Sequence, residues 1–298
     1  MKLGAVLLLK KSGSYKDNDL DRGHILFKTL KKFTKGNLFE EFAIIVPDNE
    51  VGEIKESYFG WIDHFNIRVL GEGEIAPQLN NYRNMRGWRK QQILKLAIAN
   101  HFTCDYYITF DADIICLKDI SKDDLLPGGK AILQLEKCSL HPKWWKSSSR
   151  IIDARHIVIG MKDAISVTPA ILSRHVVLLT QTEIEKSNNT SDWVDWLCNL
   201  HLPKHPKNWC LKRFLMLKWT EYSLYYLTLL KYDLFDKYHV LCSTEEVPQR
   251  LLVHDAHPFE KWAPSINFNQ SCPGLFCVVG SKSFISPDSV WDKIQPFV

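Results

Sequence analysis

The stretch Tyr106–Leu117, Tyr-Tyr-Ile-Thr-Phe-Asp-Ala-Asp-Ile-Ile-Cys-Leu, limits what this chain can become more than any other. Five mostly β-favouring residues run into Asp111-Ala112-Asp113, and four apolar residues follow. A short apolar run of this kind reads as a buried strand. Two carboxylates at its end are costly unless something cationic sits beside them. Along an extended chain, residues i and i+2 project to the same side, so Asp111 and Asp113 are expected to converge on one point. Two hard oxygen ligands suit Mn²⁺ or Mg²⁺, which combine a few carboxylates with phosphate oxygens and water. The expectation is a metal held at a strand end to grip a diphosphate. An isolated Asp-x-Asp is more often a solvated turn, but a surface turn needs no apolar residues on both sides.

The residues around this stretch supply a sheet for it to join. Leu3–Leu9, Phe42–Val46 and Ile67–Leu70 read as strands, and Asp19 caps a helix from Leu20 to Phe33. A weak helix is expected near Val51–Phe59 and a loop over Gly71–Asn81. The spacing of Trp88, Gln91, Gln92, Leu94, Lys95, Ile98 and Ala99 predicts a helix over Gly87–His101, delivering the chain to the Asp111 strand. Strand–helix alternation argues an α/β fold with a mostly parallel central sheet flanked by helices. Ligands of such sheets lie beyond the carboxyl ends of the strands, where Asp111 and Asp113 fall.

The second half is expected to add strands at Ala131–Leu135, His156–Gly160 and Ala164–Val167. Thr168-Pro169 reads as cap and first residue of a helix to about Lys186, followed by a short helix over Ser191–Leu200. Pro203–Trp209 reads as a loop and Lys218–Tyr238 as a long aromatic helix. Arg250–Val253 reads as a strand entering His254-Asp255-Ala256-His257. Leu275–Val279 and a helix near Pro287–Ile294 close the chain. Without repeats or an obvious linker, the simplest account is a single domain, with residues 1–135 as a nucleotide-sugar half and 136–298 as an acceptor half.

At 298 residues, 45% apolar and 24% charged, the chain has the make-up of a soluble globular protein. Its net charge of +4 is too mild to argue for nucleic acid as main partner, though it suits an anionic ligand. None of the eight cysteines forms a Cys-x-x-Cys pair, so a zinc or thiol redox motif is not expected, and the chain reads as reduced and cytoplasmic. Met1–Leu9 reads as a first strand rather than a signal peptide, and no apolar run reaches the roughly 20 residues of a membrane span.

Four segments together resemble the GT-A class of nucleotide-sugar-dependent glycosyltransferases, and are most similar to an uncharacterised bacterial and viral glycosyltransferase-like family within it. They are Ser14-Tyr15-Lys16-Asp17 with the Asp19–Arg22 helix start, Gly87–Leu96 leading to Phe110-Asp111-Ala112-Asp113, Val167–Ser173, and Trp219-Thr220-Glu221-Tyr222. The resemblance implies a Rossmann-like GT-A fold and transfer of a hexose from a nucleoside-diphosphate sugar to a carbohydrate or other hydroxyl acceptor. It implies that Asp111 and Asp113 bind Mn²⁺ or Mg²⁺ on the diphosphate, and that Lys95-Leu96 contacts the donor. Glycogenin-like members use a late His as third metal ligand and a following Lys, before a Trp, for phosphate. His254 and Lys261-Trp262 are similar, but the spacing is one residue longer and the Gly of that pattern is missing, so His257 is a rival ligand. Glu221 is similar to the acidic residue that faces the acceptor, a base in inverting enzymes and a sugar-binding group in retaining ones.

Each of these residues has a plainer reading. His254 and His257 are ordinary structural histidines by default, and Glu221 at a helix start is favoured by the dipole alone. Lys95 and Arg89 could belong to a solvated helix face, although Arg89 can also grip a phosphate with two bonds. Trp144, Trp145 and Trp219 are expected to pack rather than bind sugar, yet two adjacent Trp cannot both face one core. Two other functions compete. A haloacid-dehalogenase-type phosphatase also places Asp-x-Asp after an apolar strand, but nearer the chain start, followed by Thr or Val where Ile115 stands here, and with a later Asp-Asp pair that this chain lacks. The other is a non-catalytic nucleotide-sugar-binding protein. Transfer to a hydroxymethylated nucleobase would be a narrower form of the main reading, which the slight basic excess barely supports.

Overall fold

The structure is a computed structural model describing residues 1–11, 19–34, 36–203, 210–243, 251–279 and 285–298. Ser14–Asp17, part of the first resembling segment, lies outside the described residues, as does most of Pro203–Trp209.

Strand β1 (Leu3–Leu8) is buried along its whole length. It pairs in parallel with β2 (Glu41–Val46) on one side and β4 (Tyr106–Phe110) on the other, and β2 pairs in parallel with β3 (Ile67–Gly71). Period-2 alternation divides the apolar side chains between two cores. Leu3, Ala5, Leu7, Phe42 and Ile44 pack beneath the Asp19–Phe33 helix, with Leu26, Phe27 and Leu30. Val6, Leu8, Ala43 and Ile45 face the other layer, where the Gly87–Ala97, Arg174–Asn188 and Glu221–Lys231 helices lie.

The apolar stretch that follows β4 is not one strand. Pairing stops at Phe110; Ala112 and Asp113 form a turn closed by the Ile114 N–H donating to the Asp111 carbonyl at 3.3 Å. The chain then enters β5 (Ile114–Cys116), which belongs to a different sheet. The alternation argument for two converging carboxylates therefore does not apply, because the residues between them are not extended.

Strands β6 (Ala131–Leu133), β7 (Leu135–Lys137) and β8 (Asp163–Ile165) are short. Next, β9 (Ala170–Ser173) adds antiparallel to β4, giving the five-stranded order β3-β2-β1-β4-β9. Beyond it, β10 (His239–Leu241) pairs with β6, and β11 (Leu251–Asp255) and β12 (Gly274–Val278) join β5 in the order β11-β12-β5. The molecule is a mixed α/β single domain with a parallel-rich central sheet.

Several expected elements differ. Thr168-Pro169 does not open a helix: Ala170, Ile171 and Leu172 are all buried and pair with β4, and the helix starts only at Arg174. His156–Gly160 forms turns rather than a strand, with Ile159 largely exposed. Gly71–Asn81 contains helical turns at Glu72–Ile75 and Pro77–Asn81. Trp144 and Trp145, for which no element is expected, lie on a helix, Pro142–Ile151, in which Trp145 is buried while Trp144 stacks on His141. The Glu221 helix ends at Lys231 because Asp233 takes a left-handed conformation at φ 52°, a turn that short Asp side chains tolerate. A separate turn, Phe235–Tyr238, follows.

Candidate active site at the end of strand β4

The alternation that sends Tyr107 and Thr109 into the helix-covered layer points Asp111 the same way. There it meets Lys95. The Gly87–Ala97 helix is buried on most sides, since Ile93, Leu94, Leu96 and Ala97 are all in the core. Lys95 is thus no solvated side chain; it is only 5% exposed and needs anionic partners to remain charged. It has them. Its Nζ donates to Asp111 Oδ1 at 2.9 Å and lies 3.4 Å from Glu221 Oε1. Thr168 Oγ1 at 3.1 Å and Tyr222 OH at 3.3 Å complete the shell. Tyr222 OH is in turn 2.8 Å from Thr168 Oγ1 and 2.7 Å from Thr109 Oγ1.

Glu221 arrives by a local device. Thr220 caps its helix, accepting from Ser223 N–H, while the Ser223 side chain accepts from Thr220 N–H. Glu221 is the first helical residue, where the positive end of the helix favours a carboxylate. Burial nevertheless raises its pKa, against the lowering effect of Lys95. For Lys95, burial pushes the pKa down, but Asp111, Tyr222 and Glu221 outweigh it, and the ammonium is held well above its ordinary value. Burial also drives Tyr222 up to about 12, with Lys95 opposing and the two carboxylates adding to the rise. At neutral pH the cluster holds an ammonium, a neutral phenol and two carboxyl groups of different exposure. Asp111 is 44% exposed at its side chain and is the member that meets solvent.

Arg89 sits one layer behind. Its guanidinium donates to the Trp219 carbonyl at 2.5 Å, the Leu217 carbonyl at 2.6 Å and Gln92 Oε1 at 2.8 Å, and it lies 5.0 Å from the Trp219 ring. Burial lowers its pKa to about 10, partly offset by Glu221. These bonds fix the chain that leads into Thr220 and Glu221. Replacing Arg89 by Ala is expected to cost about 2–4 kcal/mol, since buried carbonyls lose charged donors. A chemical denaturation series checks this; a loss under about 0.5 kcal/mol would show that water replaces the guanidinium without penalty.

The other expected site residues are dispersed. Asp113 borders a small cavity with Arg22, Ile25, Val279 and Val290, on the side of the Pro287–Ile294 helix. His254 lies in β11, with β12 between it and β5: it pairs with Cys277, which pairs with Ile115. Its Nε2 is 3.1 Å from Cys272 Sγ, and its ring covers Gly274, leaving no room there for a Cβ. Burial, and then Lys118, lower its pKa. His257 is exposed, and its N–H donates to Asp255 Oδ1 at 3.0 Å. Lys261 is exposed on the Phe259–Lys261 turn. Among the described residues, no three His, Cys, Asp or Glu side chains are grouped to hold an ion. The two carboxylates of the turn are hard oxygen donors of the kind a divalent cation takes together with phosphate and water, Asp111 beside Lys95 and Asp113 beside the Arg22 cavity.

Three residues of the cluster, Thr109, Thr168 and Tyr222, carry no expected part in the site, Thr168 being read only as a helix cap. One signal existed: Thr109 is a polar residue inside an apolar strand, and a buried hydroxyl requires partners.

Together these features define an α/β protein with a lysine-centred carboxylate cluster at the carboxyl end of a central parallel strand. The chain belongs to the family of unknown function DUF6492, whose model matches residues 1–298. No curated protein matches the chain in sequence. Among solved structures, mouse xyloside xylosyltransferase 1 in its apo form is similar at a TM-score of 0.46 and 10% sequence identity, over 96% of this chain and 100% of that one. Among the described residues, no helix is long and apolar enough to cross a membrane.

Proposed function

We propose that the protein is a glycosyltransferase with a GT-A-like fold, moving a hexose from a nucleoside-diphosphate sugar to a hydroxyl acceptor. The observation that carries this reading is the buried Lys95, which grips one oxygen of the half-exposed Asp111 and keeps Glu221 within 3.4 Å. This is a preorganised charged site where parallel sheets receive ligands.

We assign the roles as follows. Asp111 and Asp113 offer carboxylate oxygens to Mn²⁺ or Mg²⁺, which when bound would neutralise charge on the diphosphate. His254 is held against Cys272 and Gly274, so we leave it out of that ligand set. Lys95 fixes Asp111 and supplies positive charge beside the departing diphosphate. Arg89 acts as a positioning residue for Glu221, through the main chain of Leu217 and Trp219. Lys261, with its exposed ammonium, is the further cation we assign to the diphosphate. Glu221 takes the proton of the acceptor hydroxyl as the sugar–phosphate bond breaks. A raised carboxyl pKa brings it closer to the working pH, as a general base requires.

A thermal-shift panel of nucleoside-diphosphate sugars, with and without Mn²⁺, tests the reading. A donor at a hundred times its dissociation constant adds about 2.7 kcal/mol of apparent stability. The expected result is a shift with at least one donor that is enlarged by Mn²⁺, the enlargement being lost in Asp113→Asn. A panel in which no nucleotide sugar shifts the transition in either condition would sink the proposal.

A further inference from the structure

Leu211, Phe214 and Leu215 are 76%, 54% and 45% exposed, on and just after the short Leu211–Phe214 helix. Scattered exposed apolar residues are ordinary, but three within five positions are not. Their surroundings are basic. No acidic residue falls between Asp195 and Glu221, while Lys212, Arg213 and Lys218 do. Leu211 and Leu215 border a surface cavity of about 810 Å³ that also carries Arg150, Arg155 and Lys186. Its carboxylates are already engaged: Asp153 lies 3.2 Å from Arg155, and Glu183 lies 2.6 Å from Lys231. Arg150 and Lys186 therefore leave an excess of positive charge. The neighbouring Pro142–Ile151 helix is tied to this patch by Ser147 Oγ donating to the Leu215 carbonyl at 3.0 Å. Lys143 and Lys146 on that helix are exposed, and Lys143, Ser147 and Arg150 follow helical spacing along one stripe.

We propose that this patch docks the protein on an anionic lipid bilayer, with Leu211, Phe214 and Leu215 entering the boundary between headgroups and acyl chains. Exposed leucine and phenylalanine side chains ringed by cations, with no acid among the charges nearest them in sequence, match an interface that is negative outside and apolar beneath. An acidic protein partner would satisfy the cations but does not call for three insertable apolar side chains. A nucleic acid would leave Leu211 and Leu215 without stacking partners. The inference stands apart from the glycosyl-transfer reading, since none of these residues belongs to the Lys95 cluster.

The test is flotation of the full chain with vesicles of phosphatidylcholine alone and of equimolar phosphatidylglycerol and phosphatidylcholine. Binding is expected only to the anionic vesicles and weakens as salt rises. Leu211→Ser/Phe214→Ser is expected to lower partitioning about tenfold or more, because the inserted side chains provide the apolar part of the affinity. Lys143→Gln/Lys146→Gln is expected to lower it about 25-fold, about fivefold for each of the two cations near the surface. Thermal melts of both variants, expected to match the parent, separate surface loss from unfolding. Absence of flotation with anionic vesicles at low salt overturns the proposal. So does flotation that the apolar pair does not affect, which would reduce the patch to charge alone. A concentration-dependent dimer abolished by Leu211→Ser/Phe214→Ser would overturn it in favour of a second copy of the chain.

Discussion

Lys95→Met lowers folding stability by about 3–5 kcal/mol, the range for removing one partner of a buried ion pair. Methionine fills nearly the same space, so a cavity contributes little and the change is electrostatic. The group left behind is Glu221, whose side chain is only 6% exposed. Asp111 is far more open and can turn to water, so it adds little to the loss. Tyr222, Thr168 and Thr109 keep their hydroxyl contacts with one another, which limits the collapse of the network.

The loss depends on pH, and its sign follows from the two shifts. Lys95 has a raised pKa, so its stabilising contribution is complete below the ordinary amine value and disappears only as pH climbs through the folded value. Glu221 also has a raised pKa. The folded protein holds that proton more tightly than the unfolded chain, and stability falls as pH rises from the ordinary carboxyl value through the folded one. In Lys95→Met the lowering influence of the ammonium on Glu221 is gone, and the carboxyl moves up further. Urea denaturation should therefore show a larger deficit at pH 8 than at pH 5. Equal deficits at the two pH values would mean that Glu221 is not the group left uncompensated.

Of the cluster, the sequence singles out Lys95, Asp111 and Glu221, and the parts it does not show share a cause. The central parallel strands announce themselves, because a strand buried on both faces must be apolar throughout, as Leu3–Leu8 is. The Gly87–Ala97 helix is legible from its spacing. What a single sequence hides is the exchange of partners. Nothing local says that pairing ends at Phe110 and that Ile114 joins another sheet. Ala170–Ser173 follows a cap-and-proline signature for a helix at Thr168-Pro169, yet the open edge of β4 takes it as a strand. Tertiary pairing overrode local preference there. Burial is hidden for the same reason. Arg89 and Lys95 look alike on a helix, but one meets main-chain carbonyls and the other two carboxylates, and only the packing of the Glu221 helix decides which.

Glu221→Gln carries the largest functional effect: the rate of glycosyl transfer is expected to fall by about 10²–10⁴, the contribution of a positioned general base. The amide keeps the size and planarity of the carboxyl, and Lys95 retains Asp111, Thr168 and Tyr222 as partners, so the fold and the donor site persist. Donor-induced thermal shifts in the variant should therefore match those of the parent while kcat falls. As the proposed base, Glu221 is also expected to shape the pH profile of the parent. A base must be deprotonated to act, so kcat/KM rises with pH through the folded Glu221 value, which burial places above the ordinary carboxyl range. The variant has no such group and should lose that limb. These two readouts separate chemistry from architecture. A Glu221→Gln protein with lowered kcat but an unchanged pH profile assigns the residue to holding the sugar or the cluster, and one within about twofold of the parent rate removes it from the reaction.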